Sequence, residues 1–343
     1  MAFYDSLFNA FGLREWCDAS AGSAKMTMAS LLAKTNPDAA DDGPLFPFPS
    51  MDELYKACPS FPQSREFTAG VEEAFLNAKD VLKTVLDPLT QPLSWLLEGA
   101  LFIFLAAPWW IVVPLILMFV WYVCRSVAVT TFVTVSFAFL AFIDHLDAAL
   151  QTLAIIAVCT GICIILGVPV GIAMAKSNRF QRSLLPLLDL LQTLPTFVYL
   201  IPLIFLFSVT EPKLYGIAII VYAIVPVIRL TDLGIRLVDQ DVVEAANAFG
   251  MSSRQKLFGI ELPLALPNIM AGVNQTIMMS LAMVVIASLV SAPGLGVLVL
   301  RGIRNLELGV GLIAGLGIVL LAVILDRVSK AAIARVSSDQ TFK

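Results

Sequence analysis

The residues best placed to do chemistry lie in one polar stretch, IRLTDLGIRLVDQDVVEAANAFGMSSRQKLFGIELPLALPN, residues 228 to 268, which interrupts long apolar sequence on both sides. Asp241 is placed to cap a helix, with Glu244 three residues on reaching back to it, a D-x-x-E form of the capping box. About two turns follow through VVEAANAF, and Gly250 supplies the left-handed residue that ends them. Ser252 and Gln255 form a second box, opening a helix that Pro263 interrupts. Val242, Ala245, Ala246 and Phe249 make a small apolar face on the first helix. A two-turn helix is unstable alone, so that face must dock on something.

Reactive chemistry is scarce elsewhere. The chain has one histidine, His145, and five cysteines. It contains no HExxH, no CxxC and no G-x-x-x-x-G-K-[ST], so no cofactor or metal is expected and no nucleotide can be held by a P-loop of its own. Cys17 and Cys58 fall in a polar leading segment, where they are either free thiols or, in an oxidising compartment, a pair. Cys124, Cys159 and Cys163 sit in apolar runs as packing residues.

Composition says what must position these residues. Of 343 residues, 59% are hydrophobic and only 14% charged, with a net charge of −4, against about 45–50% and 25% in soluble domains. The chain is therefore an all-α integral membrane protein; a soluble enzyme and a nucleic-acid binder are excluded together. A β-barrel would show alternating segments of about ten residues instead of helix-length apolar runs.

Seven stretches reach the length needed to cross a bilayer: roughly 108 to 124, 126 to 143, 149 to 175, 184 to 207, 214 to 230, 266 to 291 and 308 to 325. Residues 1 to 92 form an acidic, Pro-punctuated tail with an amphipathic helix from about Phe67 to Val85. Residues 93 to 107 carry Glu98 and end at Pro108, which assigns them to the interface or to a re-entrant segment. Residues 108 to 330 form the membrane domain, with the polar loop at 231 to 265, and residues 331 to 343 a short tail.

Placing the AKSNRFQRS loop inside gathers twelve Lys/Arg on one face, including Lys176, Arg229, Arg236 and Arg335, and leaves Lys213, Arg301 and Arg304 opposite. By the positive-inside rule the carboxyl terminus is then cytoplasmic and the amino-terminal tail outside. Polar residues within spans tend to face the bundle interior or a pathway. Asp189, Gln192, Thr193 and Tyr199, around Pro195 and Pro202, and Asn274, Gln275 and Ser280 are the candidates for a pathway, with helix-to-helix hydrogen bonding the alternative. Asp189, seven residues past Arg182, is also placed to be an interfacial ion-pair partner.

EAA, three residues, Gly250, nine residues and then I-x-LP (Ile260, Leu262, Pro263) resembles the EAA loop of the membrane subunits of binding-protein-dependent ABC importers, with every anchor and both spacings matched. The flanking text LLDLLQTLPTFVYLIPLIFLF, LPLALPNIMAGVNQTIMMSLAMVVIASLV and GLGVLVLRGI is similar to permeases of the glycine betaine/proline family, over residues 93 to 330 or so. That resemblance implies a type I ABC importer transmembrane domain, working as a homodimer in membrane lipid with an ATP-binding cassette ATPase subunit and a periplasmic or surface substrate-binding protein. It implies that Glu244, Ala245, Ala246 and Gly250 form the coupling helix set in a groove of the ATPase. Small alanines would allow close approach, Phe249 an anchor, and Glu244 a partner for a basic group. The implied cargo is glycine betaine, choline, proline betaine, carnitine or trimethylamine N-oxide. An ATP-independent carrier or osmotically gated channel would leave the EAA spacing unexplained.

Overall fold

The computed structural model describes residues 2 to 12 and 64 to 341; Cys17 and Cys58 lie outside the described residues. The chain forms two compact units, Met1–Val81 and Leu82–Lys343. In the first, α1 (Ala2–Ala10) buries Phe8. The described residues are helical, with no strand among them.

Helix α2 (Ser64–Ala106) is 43 residues long and runs on through residues 92 and 93, where the composition changes, so the expected amphipathic helix and the apolar segment after it are one element. It contains Pro88 and Pro92, each of which lacks the N–H that would close a helical hydrogen bond. Beyond it, α3 (Trp109–Cys124) and α4 (Val127–Phe142) meet at Arg125, whose left-handed backbone (φ 49°) turns the chain. Then come α5 (Leu146–Lys176), α6 (Asn178–Thr193), a 3-10 turn (Thr196–Tyr199), α7 (Leu200–Leu206) and α8 (Pro212–Arg236).

Among the described residues, five helices are long and apolar enough to cross a membrane: Thr68–Ala106, Leu146–Lys176, Pro212–Arg236, Ser253–Val290 and Leu308–Arg335. The stretch 184 to 207, expected as one span, is instead a broken pair bent by 106°. The cause is local: a residue before proline avoids the α region, and Leu194, before Pro195, is extended at φ −64°, ψ 134°. α3 and α4 are apolar but have 16 residues each, about 24 Å of helix against about 30 Å of hydrocarbon.

The core is built around α8, which packs against α5 on one side and against α11 (Leu262–Ala287) on the other. Small residues set the spacing, as is usual between membrane helices. A methyl group at Gly171 on α5 would stand 2.6 Å from the Ile228 carbonyl oxygen, and one at Gly272 on α11 would stand 3.1 Å from Val227 Cα. Ala218, Ala223, Val225 and Val227 fill α8's buried faces. The last two helices, α12 (Leu295–Arg304) and α13 (Leu308–Thr341), form a hairpin that closes on α11, α3 and α4. Cys124, Cys159 and Cys163 are buried free thiols, as packing residues should be.

Candidate functional site

The polar stretch folds into two short helices mounted on the end of α8. After Arg236 the chain turns through Leu237 and Val238, and Asp239 caps α9 (Gln240–Ala248) by accepting a hydrogen bond from the Asp241 amide at 2.9 Å. The cap thus sits two residues before the expected Asp241, which lies in the first turn, where its charge suits the positive end of the helix. Glu244 is consequently free of any capping-box role and is exposed.

Gly250 ends α9 as expected, at φ +74°. Its amide bonds the Asn247 carbonyl at 3.0 Å and the Met251 amide bonds the Ala246 carbonyl at 3.1 Å, the paired bonds of a Schellman stop. No atom lies within 4 Å of where a Cβ would sit, so what a side chain would meet there is backbone strain alone. The Ser252–Gln255 box forms in both directions and opens α10 (Ser253–Lys256). Lys256 ties the two helices by donating to Asn247 at 3.0 Å. Pro263 does not interrupt the chain. A π-helical turn, Leu257–Glu261, precedes it and Pro263 falls in the first turn of α11, where a missing N–H is tolerated.

The expected apolar face of α9 is divided between two sides. Val243 packs on the cluster of Ile235, Val238, Ala265 and Ile269, with Ile172 and Ala175 of α5 beside it. Ala246, three residues on and so on the same side of a 3.6-residue helix, is 2% exposed. Val242, Ala245 and Phe249 point the other way, and Phe249 is 88% exposed. α9 is therefore seated on its own chain by one edge and presents Val242, Glu244, Ala245 and Phe249 on the other.

Beneath this seat lies a charged network that sequence reasoning missed. Buried Asp232 accepts from Gln181 at 2.7 Å and from Arg236 at 2.8 Å. Arg236 also donates to Asn178 and to the Met174 carbonyl, each at 2.7 Å. Lys176 pairs with Glu261, which is 5% exposed. Together these fasten the α5–α6 turn to the ends of α8 and α11. The signal available in the sequence was an acid–base pair at i, i+4, Asp232 and Arg236, and a lone glutamate inside IELP.

The pathway candidates do not form one hydrogen-bonded cluster among the described residues. Asp189 on α6 pairs with Arg229 on α8. Gln192 is half-buried, and exposed Thr193 donates back to the Leu190 carbonyl at 3.2 Å. Tyr199 is buried 6.5 Å from the Tyr222 ring, and its hydroxyl donates to the Leu191 carbonyl. That carbonyl is the one Pro195 cannot serve, since proline four residues on has no N–H; Tyr199 replaces the missing donor and spans the bend. On α11, Asn274 donates to Asp326 at 3.3 Å and accepts from Ser329. Ser280 accepts from Thr160 at 3.2 Å, and Gln275 is exposed. Asn274 and Ser280 are thus helix-to-helix contacts. The turn carrying Tyr199 touches α11 and so brings the two groups nearest each other. No cluster of metal-ligating residues occurs among the described residues.

The family model of the binding-protein-dependent transport system inner membrane component matches residues 167 to 338, which include the whole of the α9–α10 mount. The chain belongs to that family. This inner membrane component is 37% identical over 321 residues, 92% of this chain and 88% of the relative, to the glycine betaine/proline betaine transport system permease protein ProW of Escherichia coli (strain K12). It is 42% identical over 229 residues, 66% of this chain and 76% of the relative, to the glycine betaine transport system permease protein OpuAB of Bacillus subtilis (strain 168). A further relative, the trimethylamine N-oxide transport system permease protein TmoV of Ruegeria pomeroyi, is 41% identical over 57% of this chain and 30% of its own. Among solved structures, the MetNI methionine ABC transporter in an inward-facing conformation matches with a TM-score of 0.51 at 17% identity, covering 56% of this chain and 95% of that one. The fold is that of a type I ABC importer transmembrane domain.

Proposed function

We propose that this inner membrane component is the permease subunit of an ATP-driven importer for glycine betaine or a related methylated amine, with choline, proline betaine, carnitine and trimethylamine N-oxide in the same class. The observation that carries the proposal is the α9 mount: a two-turn helix seated by Val243 and Ala246, stopped by Gly250, and presenting Phe249, Ala245, Val242 and Glu244 exposed, away from the described residues. The relatives' names support the cargo class.

In this reading Glu244, Ala245, Ala246, Phe249 and Gly250 build the coupling helix: Glu244, Ala245 and Phe249 by the contact surface, Ala246 by the seat and Gly250 by the stop. An ATPase subunit on a separate chain receives that helix, a substrate-binding protein delivers cargo on the opposite side, and a second copy of this chain completes the pathway within membrane lipid. The coupling end is cytoplasmic, with the carboxyl terminus on that side and the amino-terminal tail outside. Closure of the ATPases pushes α9. Because Arg236, Asp232, Lys176 and Glu261 bind the α5–α6 turn to α8 and α11, the push reaches α5, α6, α8 and α11 together instead of bending one helix. In the same reading Asp189, Gln192, Thr193 and Tyr199 on the broken segment, with Gln275 on α11, line the pathway, while Asn274 and Ser280 hold its walls.

The test is uptake of labelled methylated amines by the permease co-expressed with its ATPase and binding protein, beside a hydrolysis-dead ATPase. One compound entering only with the live ATPase is the expected result. Undiminished uptake with the dead ATPase would make the chain a carrier or channel.

A further inference from the structure

At the end of α8 farthest from α9 lies Lys213, which is 3% exposed. An ammonium group kept from water needs partners close by, and its partners come from two elements. Asp87 of α2 lies at 2.7 Å and Gln91, one turn on, at 3.4 Å. Glu211, which opens α8, lies at 2.8 Å, and the Phe207 ring covers the ammonium at 5.2 Å. One turn along α8, Gly216 receives Leu97 of α2, which is wholly buried; a methyl group at 216 would stand 2.7 Å from Leu97 Cδ1. Asp87 stands immediately before Pro88, and Pro92 follows four residues later. Helical hydrogen bonding is weakest there, so the direction of α2 at this point is set by what it grips more than by its own ladder.

We propose that Lys213 is a positioning residue that latches α2 to α8, so that α2 bears on the same rod whose other end carries the coupling helix. α8 is one continuous helix from Pro212 to Arg236, about 37 Å at 1.5 Å per residue, with Pro226 inside it but buried against Gly272 of α11, so that packing holds the helix where its ladder lacks a donor; only Leu237 and Val238 separate it from the Asp239 cap of α9. The latch is built to release. Its carboxylates, Asp87 and Glu211, are each one-third exposed, and beside them opens a polar cavity of about 470 Å³ lined by Gln91, Ser94, Glu98 and Thr210 among others. Lys213 lines the same cavity with both acids, so water there can take over the carboxylates and the ammonium when the contact parts.

The transport arm of the test rests on the importer reading; the labelling arm does not. With the native cysteines replaced, Ser94, buried beside the latch, is changed to Cys in the purified full-length permease and its rate of maleimide labelling is followed. Lys213→Met is expected to raise that rate about tenfold, and Asp87→Asn, which keeps one carboxylate on the lysine, about threefold, as opening of a local contact does. Asp87→Asn added to Lys213→Met should change nothing further, since the two act through one contact. In the importer assembled with ATPase and binding protein, Lys213→Met should lower uptake per ATP hydrolysed about fivefold. Unchanged labelling in both variants overturns the latch; faster labelling with unchanged uptake per ATP overturns its link to transport. An assembly in which the unaltered permease shows no ATP-dependent uptake overturns the importer reading and leaves the labelling result standing. Should Lys213→Met fail to fold, Asp87→Asn carries both readouts.

Discussion

The two ends of α8 are anchored by different means. At the Arg236 end, a guanidinium, a buried carboxylate, two amide side chains and a main-chain carbonyl share the load with an apolar seat. At the Pro212 end, one buried lysine gathers both carboxylates and the Gln91 amide, beside the packing of Leu97 on Gly216. A spread network resists movement from any one direction, whereas a contact centred on one ion opens as a unit. In the importer reading proposed above, the first suits a joint that passes a push to several helices without yielding, and the second a hold that lets go.

The comparison is broken most severely at Gly250. Gly250→Val places a β-branched residue at φ +74°, a conformation such residues avoid. We expect a chain that still inserts but shows no uptake, measured beside membrane content; uptake at the unaltered level would remove α9 from coupling. Next, Arg236→Met leaves buried Asp232 without its partly exposed cation, and a loss of about 2 kcal/mol for a buried acceptor stripped of a charged donor should appear as a lower thermal midpoint of the purified permease. A variant as stable as the parent would mean that Gln181 and the apolar seat suffice. Phe249→Ala should leave that midpoint unchanged, because the ring is exposed, while weakening the ATPase about thirtyfold, an anchor's worth of about 2 kcal/mol. Titration of ATPase onto reconstituted permease reads this directly, and equal affinities would place the contact elsewhere on α9. The smallest effect is at Tyr199→Phe. Losing one hydrogen bond costs about 1 kcal/mol, and the Leu191 carbonyl at the bend is left without its donor. Faster amide exchange confined to residues around 191 to 199 is the expected signature, and an unaltered exchange pattern would mean that the bend is held by Pro195 alone.

Much of this end of the molecule was legible in the sequence for reasons that are local. Gly250 was identifiable because only a left-handed residue can end a helix in that way, and Ser252 with Gln255 because a capping box is written in four consecutive positions. The apolar runs marked the membrane class because their lengths answer to bilayer thickness. Local reasoning failed where two candidates competed within a turn: Asp239 and Asp241 are both good caps, and which one is used depends on where α8 stops. It failed again at 184 to 207, where hydropathy reads a single span and Pro195 makes a bend of 106°.

The sequence by itself determined that the chain lives in a membrane and that a short stopped helix in one polar loop must meet another surface. Those properties follow from composition and from interactions within a few residues. Only the tertiary structure decided that Ala246 faces inward while Phe249 faces out, that Asp189 is taken by Arg229, that Ser280 bonds Thr160, and that Lys213 grips α2. Each of these depends on which helix lies alongside, between residues 40 to 126 positions apart in the last three cases. No periodicity within one helix contains that information.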